Sequence, residues 1–193
     1  MITLTRPDSH TMTSVRRTAL TFLLASSACM PSPEPSDAAT RASSTDRWVV
    51  TSRGLGPVLA GMPLSALGDT LGVQLRAAYP AGSRCAYVEP AALPSGTRIM
   101  IENDTVARID VRAPGVRTTE GVGVGDTEGD VLARYEGRIR VAPHKYTGPQ
   151  GHYLIVTAPS DSAHGIVFET DGNRVVNYRA GRRSAVDLVE GCS

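Results

Sequence analysis

The feature that most constrains how this chain can fold is an internal similarity. GPVLAGMPLSALGDTLG at 56–72 and EGVGVGDTEGDVLARYEG at 120–137 follow one plan: a Gly, a hydrophobic residue shortly before a second Gly, a helix start and an apolar pair four apart. Self-similarity at this scale means that one supersecondary unit is used twice. Placing Gly61 on Gly125 puts Pro63 on Thr127, Leu67 on Val131 and Leu71 on Tyr135. Thr127 with Asp130 three residues later predicts a capping box, and Pro63 suits a first helical turn, where its missing N–H is not needed. Each helix leads into strand-like runs. Ile99 and Ile101, then Val106 and Ile109, flank Asn103-Asp104, while Ile166 and Phe168, then Val175 and Tyr178, flank Asp171-Gly172. Asp-Gly between apolar alternations is a strong hairpin signal. The expected class is α+β: two tandem helix-plus-antiparallel-hairpin units, about 53–113 and 117–193, forming one domain over 47–193. VDLVEGC at 186–192 is a candidate additional strand.

The amino end carries an address. Between Arg16-Arg17 and Cys29 runs TALTFLLASSAC, an apolar stretch behind a positive pair that ends in small residues. This is the layout of a secretory signal over 1–28, too short to span a bilayer. Met12 gives a more usual spacing to the arginine pair and is a candidate start. Ser26-Ser27-Ala28-Cys29 is similar to a bacterial lipobox, in which Cys29 receives lipid; ordinary signal cleavage is the alternative. Residues 30–46, rich in Pro, Ser and Ala, cannot bury enough apolar surface to offset their ordering entropy, so 29–46 reads as a lipidated Cys with a disordered tether. The expected location is therefore the bacterial cell envelope. The protein would sit on the outer membrane facing the periplasm, or be secreted or soluble in the periplasm.

Three cysteines, with Cys29 given to lipid, leave Cys85 and Cys192 as an even pair in an oxidising compartment. A disulfide would close a loop of more than 100 residues, worth ~4–5 kcal/mol in the chain-entropy model. The alternative is two buried free thiols.

Composition excludes some classes. The chain is 41% hydrophobic with net charge +1, which is globular and lacks the concentrated positive charge of a nucleic-acid binder. No H-E-x-x-H or G-x-S-x-G arrangement occurs, and Ser160, Asp161 and His164 are too close along one loop to converge as a triad. GVGVG at 121–125 has no following Lys-Ser/Thr and reads as a helix start rather than a phosphate loop. No catalytic residue, metal site or cofactor is expected. The best recognition candidate is PHKYTGPQGHY at 143–153, where His144, Lys145, Tyr146, Gln150, His152 and Tyr153 gather around Gly-Pro turns. As a recognition site it requires His144, Tyr146 and His152 to be exposed and adjacent; a hairpin loop with Tyr153 packed beneath is the alternative. Arg174, Arg179, Arg182 and Arg183 read as a solvated strand end, with anion or headgroup contact as the alternative.

Gly61-Met62, with its echo at Gly125-Asp126-Thr127, resembles the helix start of BamE/SmpA-type envelope lipoproteins. Tandem copies of that unit resemble the β-lactamase inhibitory protein family. Cys85-x-Tyr87, Ile99-Met100-Ile101, His144-Lys145-Tyr146, Tyr153-Leu154, Phe168-Glu169-Thr170-Asp171 and Val189-Glu190-Gly191-Cys192-Ser193 are similar to a group of proteobacterial lipoproteins sometimes labelled lectins. These resemblances imply a lipid-anchored protein-interaction or assembly module whose partner is an envelope protein. A carbohydrate-binding protein taking a glycan is the alternative, and an inhibitor of an envelope hydrolase a third.

Overall fold

The computed structural model describes residues 47–158 and 160–192. The signal over 1–28, the start at Met12, Cys29 and the tether to residue 46 lie outside the described residues. In chain order the elements are β1 (Val49–Thr51), β2 (Gly54–Leu55), β3 (Val58–Leu59), α1 (Leu64–Leu71), β4 (Cys85–Val88), β5 (Thr97–Glu102), β6 (Thr105–Val111) and β7 (Arg117–Thr118). There follow α2 (Glu128–Arg134), β8 (Ile139–Pro143), β9 (His152–Ala158), β10 (Asp161–Thr170), β11 (Val175–Arg182) and α3 (Arg183–Val186). The strands form a four-stranded sheet in the order β3-β2-β1-β7 and a seven-stranded antiparallel sheet in the order β4-β5-β6-β11-β10-β9-β8.

The expected α+β class is therefore corrected to a mostly β fold, with strand outweighing helix three to one, at 41% against 13% of the described residues. Two physical reasons account for the difference. A lone hairpin is marginal in water, and the two expected hairpins do not remain separate units: β6 pairs β11, merging them into one sheet. The small sheet adds strands of two or three residues, too short to show an alternation. The segment 186–192 forms no strand; Val186 ends α3, and 187–192 follow in turns and bends.

The two helix starts are built alike. Gly61 N–H donates to Val106 O at 2.8 Å and Gly125 N–H to Val175 O at 2.9 Å. Val106 and Val175 donate back to Met62 O and Asp126 O, and Leu64 and Glu128 donate to Asp104 O and Asn173 O. Thr127 and Asp130 form the capping box, and α1 ends on Gly72 in the left-handed conformation. Each hairpin carries one extra residue at the matching place. Ala107 is extra between Met100↔Arg108 and Ile101↔Val106, and Val176 between Glu169↔Asn177 and Thr170↔Val175. Where the halves meet, Asp110↔Arg179 is flanked by Val111↔Tyr178 and Ile109↔Ala180, so a local two-fold axis passes through the Asp110–Arg179 pair.

Alternation along these strands gives the sheet two faces. Ile99, Ile101, Ile109, Val111, Leu154, Phe168 and Tyr178 join Leu67 of α1, Val131 of α2 and Leu55 of the small sheet in the main core. Phe168 centres an aromatic row, 5.7 Å from the Tyr135 ring and 5.2 Å from that of Tyr178. The opposite face carries Met100, Ala107, Val167 and a set of charged side chains, covered by α3 and the residues after it. A Cys85–Cys192 disulfide, with Cα atoms 5.3 Å apart, ties the end of this cover to the edge strand β4.

Gly181 stands where β11 crosses β6 with φ +148°, and a Cβ there would meet Ala107 O at 2.5 Å and Arg108 Cα at 2.7 Å. Both obstacles are held in the central sheet and cannot swing aside. Gly181→Ala is expected to lower the stability by at least ~1–3 kcal/mol, the range for overpacking a core, read as a fall in the urea midpoint at unchanged m-value.

Candidate functional site

Charged residues inside an apolar sheet must be paired or hydrogen-bonded to remain ionised. Arg108, Asp110 and Arg179 are 2%, 5% and 4% exposed, at the centre of the covered face. Asp110 accepts from Nε of Arg98 at 3.1 Å, and its other oxygen lies 2.8 Å from Nε of Arg108 in an orientation too poor for a hydrogen bond. The terminal Arg108 nitrogens also reach outward, although Nη2 donates to Asp110 as well, at 3.4 Å. Nη1 donates to Ala185 O at 2.7 Å and Leu188 O at 2.6 Å, and Nη2 to the Tyr87 hydroxyl at 2.8 Å. Arg179 donates through Nε to Val186 O at 2.5 Å and through Nη1 to Glu169. Two sheet arginines thus bond the carbonyls at the end of α3 and in the following turn, the usual role of a basic group at a helix C-terminus; of these, Ala185 O also accepts from the Leu188 N–H.

Glu169 links this centre to the 143–153 segment. Asn177 donates to its Oε2 at 2.9 Å, and His144 Nε2 lies 3.6 Å away. Burial alone would raise the Glu169 pKa. The Asn177 hydrogen bond together with the charge and hydrogen bond of Arg179 outweighs burial and holds the carboxyl below its ordinary value. The His144 ring stacks on Tyr153 with centroids 4.5 Å apart, and its Nδ1 accepts the backbone N–H groups of Tyr146 and Thr147. Tyr153 is 7% exposed; burial raises its pKa, and its hydroxyl accepts from the Lys145 N–H. Lys145 pairs with Glu190 at 2.8 Å, and Tyr146 donates to the same carboxylate while 61% exposed.

The structure therefore brings His144, Lys145, Tyr146 and Tyr153 together and separates two others from them. His152, one residue before Tyr153 on β9, faces the other way, where its Nδ1 lies 2.8 Å from Glu128 of α2 and Thr170 donates to the same carboxylate. Gln150 is exposed, and its backbone packs against Gly172. His144 is itself largely covered, with its side chain 11% exposed. The three residues required to be exposed and adjacent are thus one exposed, one covered and one on the opposite face.

The arginine cluster also differs from the solvated strand end. Arg179 is buried, Arg174 donates to Gly125 O, Arg182 pairs with Glu102 and Arg183 with Asp187. Sequence reasoning passed over Arg98, Arg108, Asp110, Glu169 and Asn177. The signal that could have found Arg108, Asp110 and Glu169 is charge within the otherwise apolar runs of β6 and β10. Asp161 and His164, read from the sequence as lying on a loop, stand at the start of β10, where Asp161 is held at a pKa of about 2 by its hydrogen bond with His164 and then by that from Arg53. Among the described residues, no group of three or more His, Cys, Asp or Glu is placed to hold a metal ion, and no helix is long and apolar enough to cross a membrane.

Because the folded Glu169 pKa lies below its ordinary 4.5, its ion pair stabilises fully above that pH, and the contribution fades as pH falls through the lower folded value. Glu169→Gln is expected to be less stable than wild type at pH 7 and to lose less of its stability on acidification below about pH 4.5. Urea titrations at several pH values give both slopes, and parallel slopes would contradict the assignment.

No protein-family model matches the chain, and no curated protein matches it. Among solved structures it is similar to the uncharacterized protein yfeY from Escherichia coli, with 16% identity and a TM-score of 0.41 over 69% of this chain and 99% of that one. A likeness of that degree carries no argument about function.

Proposed function

We propose that this chain is a non-catalytic cell-envelope lipoprotein, anchored through lipid on Cys29, whose β domain is a protein-interaction or assembly module. The observation that supports the reading is one open edge of the large sheet, at β8. β8 ends the strand order and, among the described residues, pairs with β9 alone. An unpaired strand edge is a template for adding an extended segment of a partner, with backbone hydrogen bonds giving affinity and side-chain contacts giving selectivity. Val141 on β8 is 48% exposed, and the adjoining loop presents Tyr146 beside the Lys145–Glu190 pair. An apolar contact and an aromatic with a polar rim are the residue types that anchor protein interfaces.

A carbohydrate-binding reading has its own observation, a separate groove of about 370 Å³ lined by Trp48, Leu93, Pro94, Pro114 and Val116. That volume lies at the lower end of small-molecule sites, roughly 300–1,000 Å³, and an indole face can carry a sugar ring.

Photocrosslinking amino acids placed at Val141 and at Tyr146 in native membranes, followed by mass spectrometry, test the leading reading. One envelope protein should crosslink from both positions, and Val141→Pro, which removes a backbone donor that points away from β9 at the open edge, should reduce its capture from Tyr146 at least tenfold. Recovery of the same species from a crosslinker at Val73, beyond α1, would contradict it. Glycan capture abolished by Trp48→Ala with β8 unaltered would favour the carbohydrate reading.

A further inference from the structure

Beside the C-terminal cover, the charged face of the sheet leaves a cleft of about 150 Å³. Its lining includes four guanidinium groups, from Arg98, Arg108, Arg112 and Arg179, and two carboxylates, from Asp110 and Glu169. The charges do not balance: two positive charges remain in excess. Nor are the donors all used. Arg108 is committed to Ala185 O, Leu188 O, Tyr87 and Asp110, but Arg98 engages Asp110 through Nε, and Arg179 uses Nε and Nη1. Among the described residues, no acceptor is bonded to the terminal nitrogens of Arg98, to Nη2 of Arg179 or to any guanidinium nitrogen of Arg112. Asp110 and Glu169 cannot supply more, since Asp110 already faces Arg98 and Arg108, and Glu169 accepts from Arg179 and Asn177.

We propose that this cleft is an oxyanion site that takes a phosphate group, free or as a phosphomonoester. Three features select that class. A cleft of 150 Å³ is about half the smallest usual small-molecule pocket, which excludes a sugar ring or nucleobase and admits a single tetrahedral anion. Guanidinium forks match phosphate oxygens in pairs. A dianion cancels the excess of two charges, which a carboxylate leaves half unmet. Arg179 is held by Val186 O and Glu169, and Arg98 lies 3.9 Å over the Tyr87 ring, so two of the three donors are oriented before an anion arrives. Arg112, exposed beyond the end of β6, is the adjustable third. The site is independent of the β8 edge and of any partner docked there.

Calorimetric titration of the full chain at low ionic strength with inorganic phosphate, glycerol 3-phosphate and acetate decides the matter. Phosphate should bind saturably at one site, with affinity falling as salt rises. Arg112→Gln, which breaks no side-chain hydrogen bond or ion pair among the described residues, should weaken it at least tenfold, Arg112→Lys less, and Arg140→Gln on β8 not at all. Glycerol 3-phosphate matching phosphate would identify a monoester such as a lipid headgroup as the source, whereas a much weaker fit would identify the free anion. Non-saturable heats, acetate binding as tightly as phosphate, or equal affinities in Arg112→Gln and Arg140→Gln would overturn the proposal.

Discussion

Two buried arginines hold the large sheet and the C-terminal segment in one structure. A seven-stranded sheet with a helical layer on one side would leave its second face to water. Here that face is apolar at both flanks, with Met100 and Ala107 on one side and Tyr153, Ile155 and Val167 on the other, and needs a cover. The cover is short: α3 has four residues, and the chain then runs in turns to Cys192. So short a segment cannot satisfy its own carbonyls. Arg108 and Arg179 do so from the sheet, while Asp110 and Glu169 keep those buried cations paired. The disulfide and the Lys145–Glu190 pair then fix the end of the cover at the two flanks.

The local two-fold axis explains why the centre is charged with opposite signs. In two antiparallel strands related by such an axis, the residue on the axis faces its own counterpart. An identical acidic or basic residue in both halves would place like charges opposite one another, which is destabilising. With Asp110 in one half and Arg179 in the other, the halves keep the same backbone pairing and bulges but differ in chemistry at the seam. The same asymmetry places Arg108 where the second half has Asn177, so the excess positive charge gathers toward β5 and β6, at the cleft.

Much of the local structure was legible in the amino-acid sequence. Pro63 and the Thr127–Asp130 capping box mark the helix starts, Asn103-Asp104 and Gly172 mark the turns, and cysteine arithmetic pairs Cys85 with Cys192. The class was not legible, because it depends on the long-range pairing of β6 with β11 and on strands too short to carry a period. The charged centre was hidden for a related reason. Alternation tells which residues share a face, yet whether a polar face is wet depends on what lies over it. The sequence does not show that α3 and the residues after it lie over Arg179, so a solvated strand end is the simpler reading of that residue. In the 143–153 segment, alternation already separates His152 from Tyr153, and only the hairpin partner shows that His144 stacks on the latter.

Native-state hydrogen exchange on Arg108→Met with the disulfide intact tests the role of the buried arginines most directly. The account predicts that the Asp187 and Leu188 amides, which close the last turn of the cover, lose protection. It also predicts that global stability falls by ~3–5 kcal/mol, as expected when one partner of a buried ion pair is removed. Unchanged protection at those amides, with a stability change within ~0.5 kcal/mol, would show that the disulfide and apolar contacts hold the cover without the arginines.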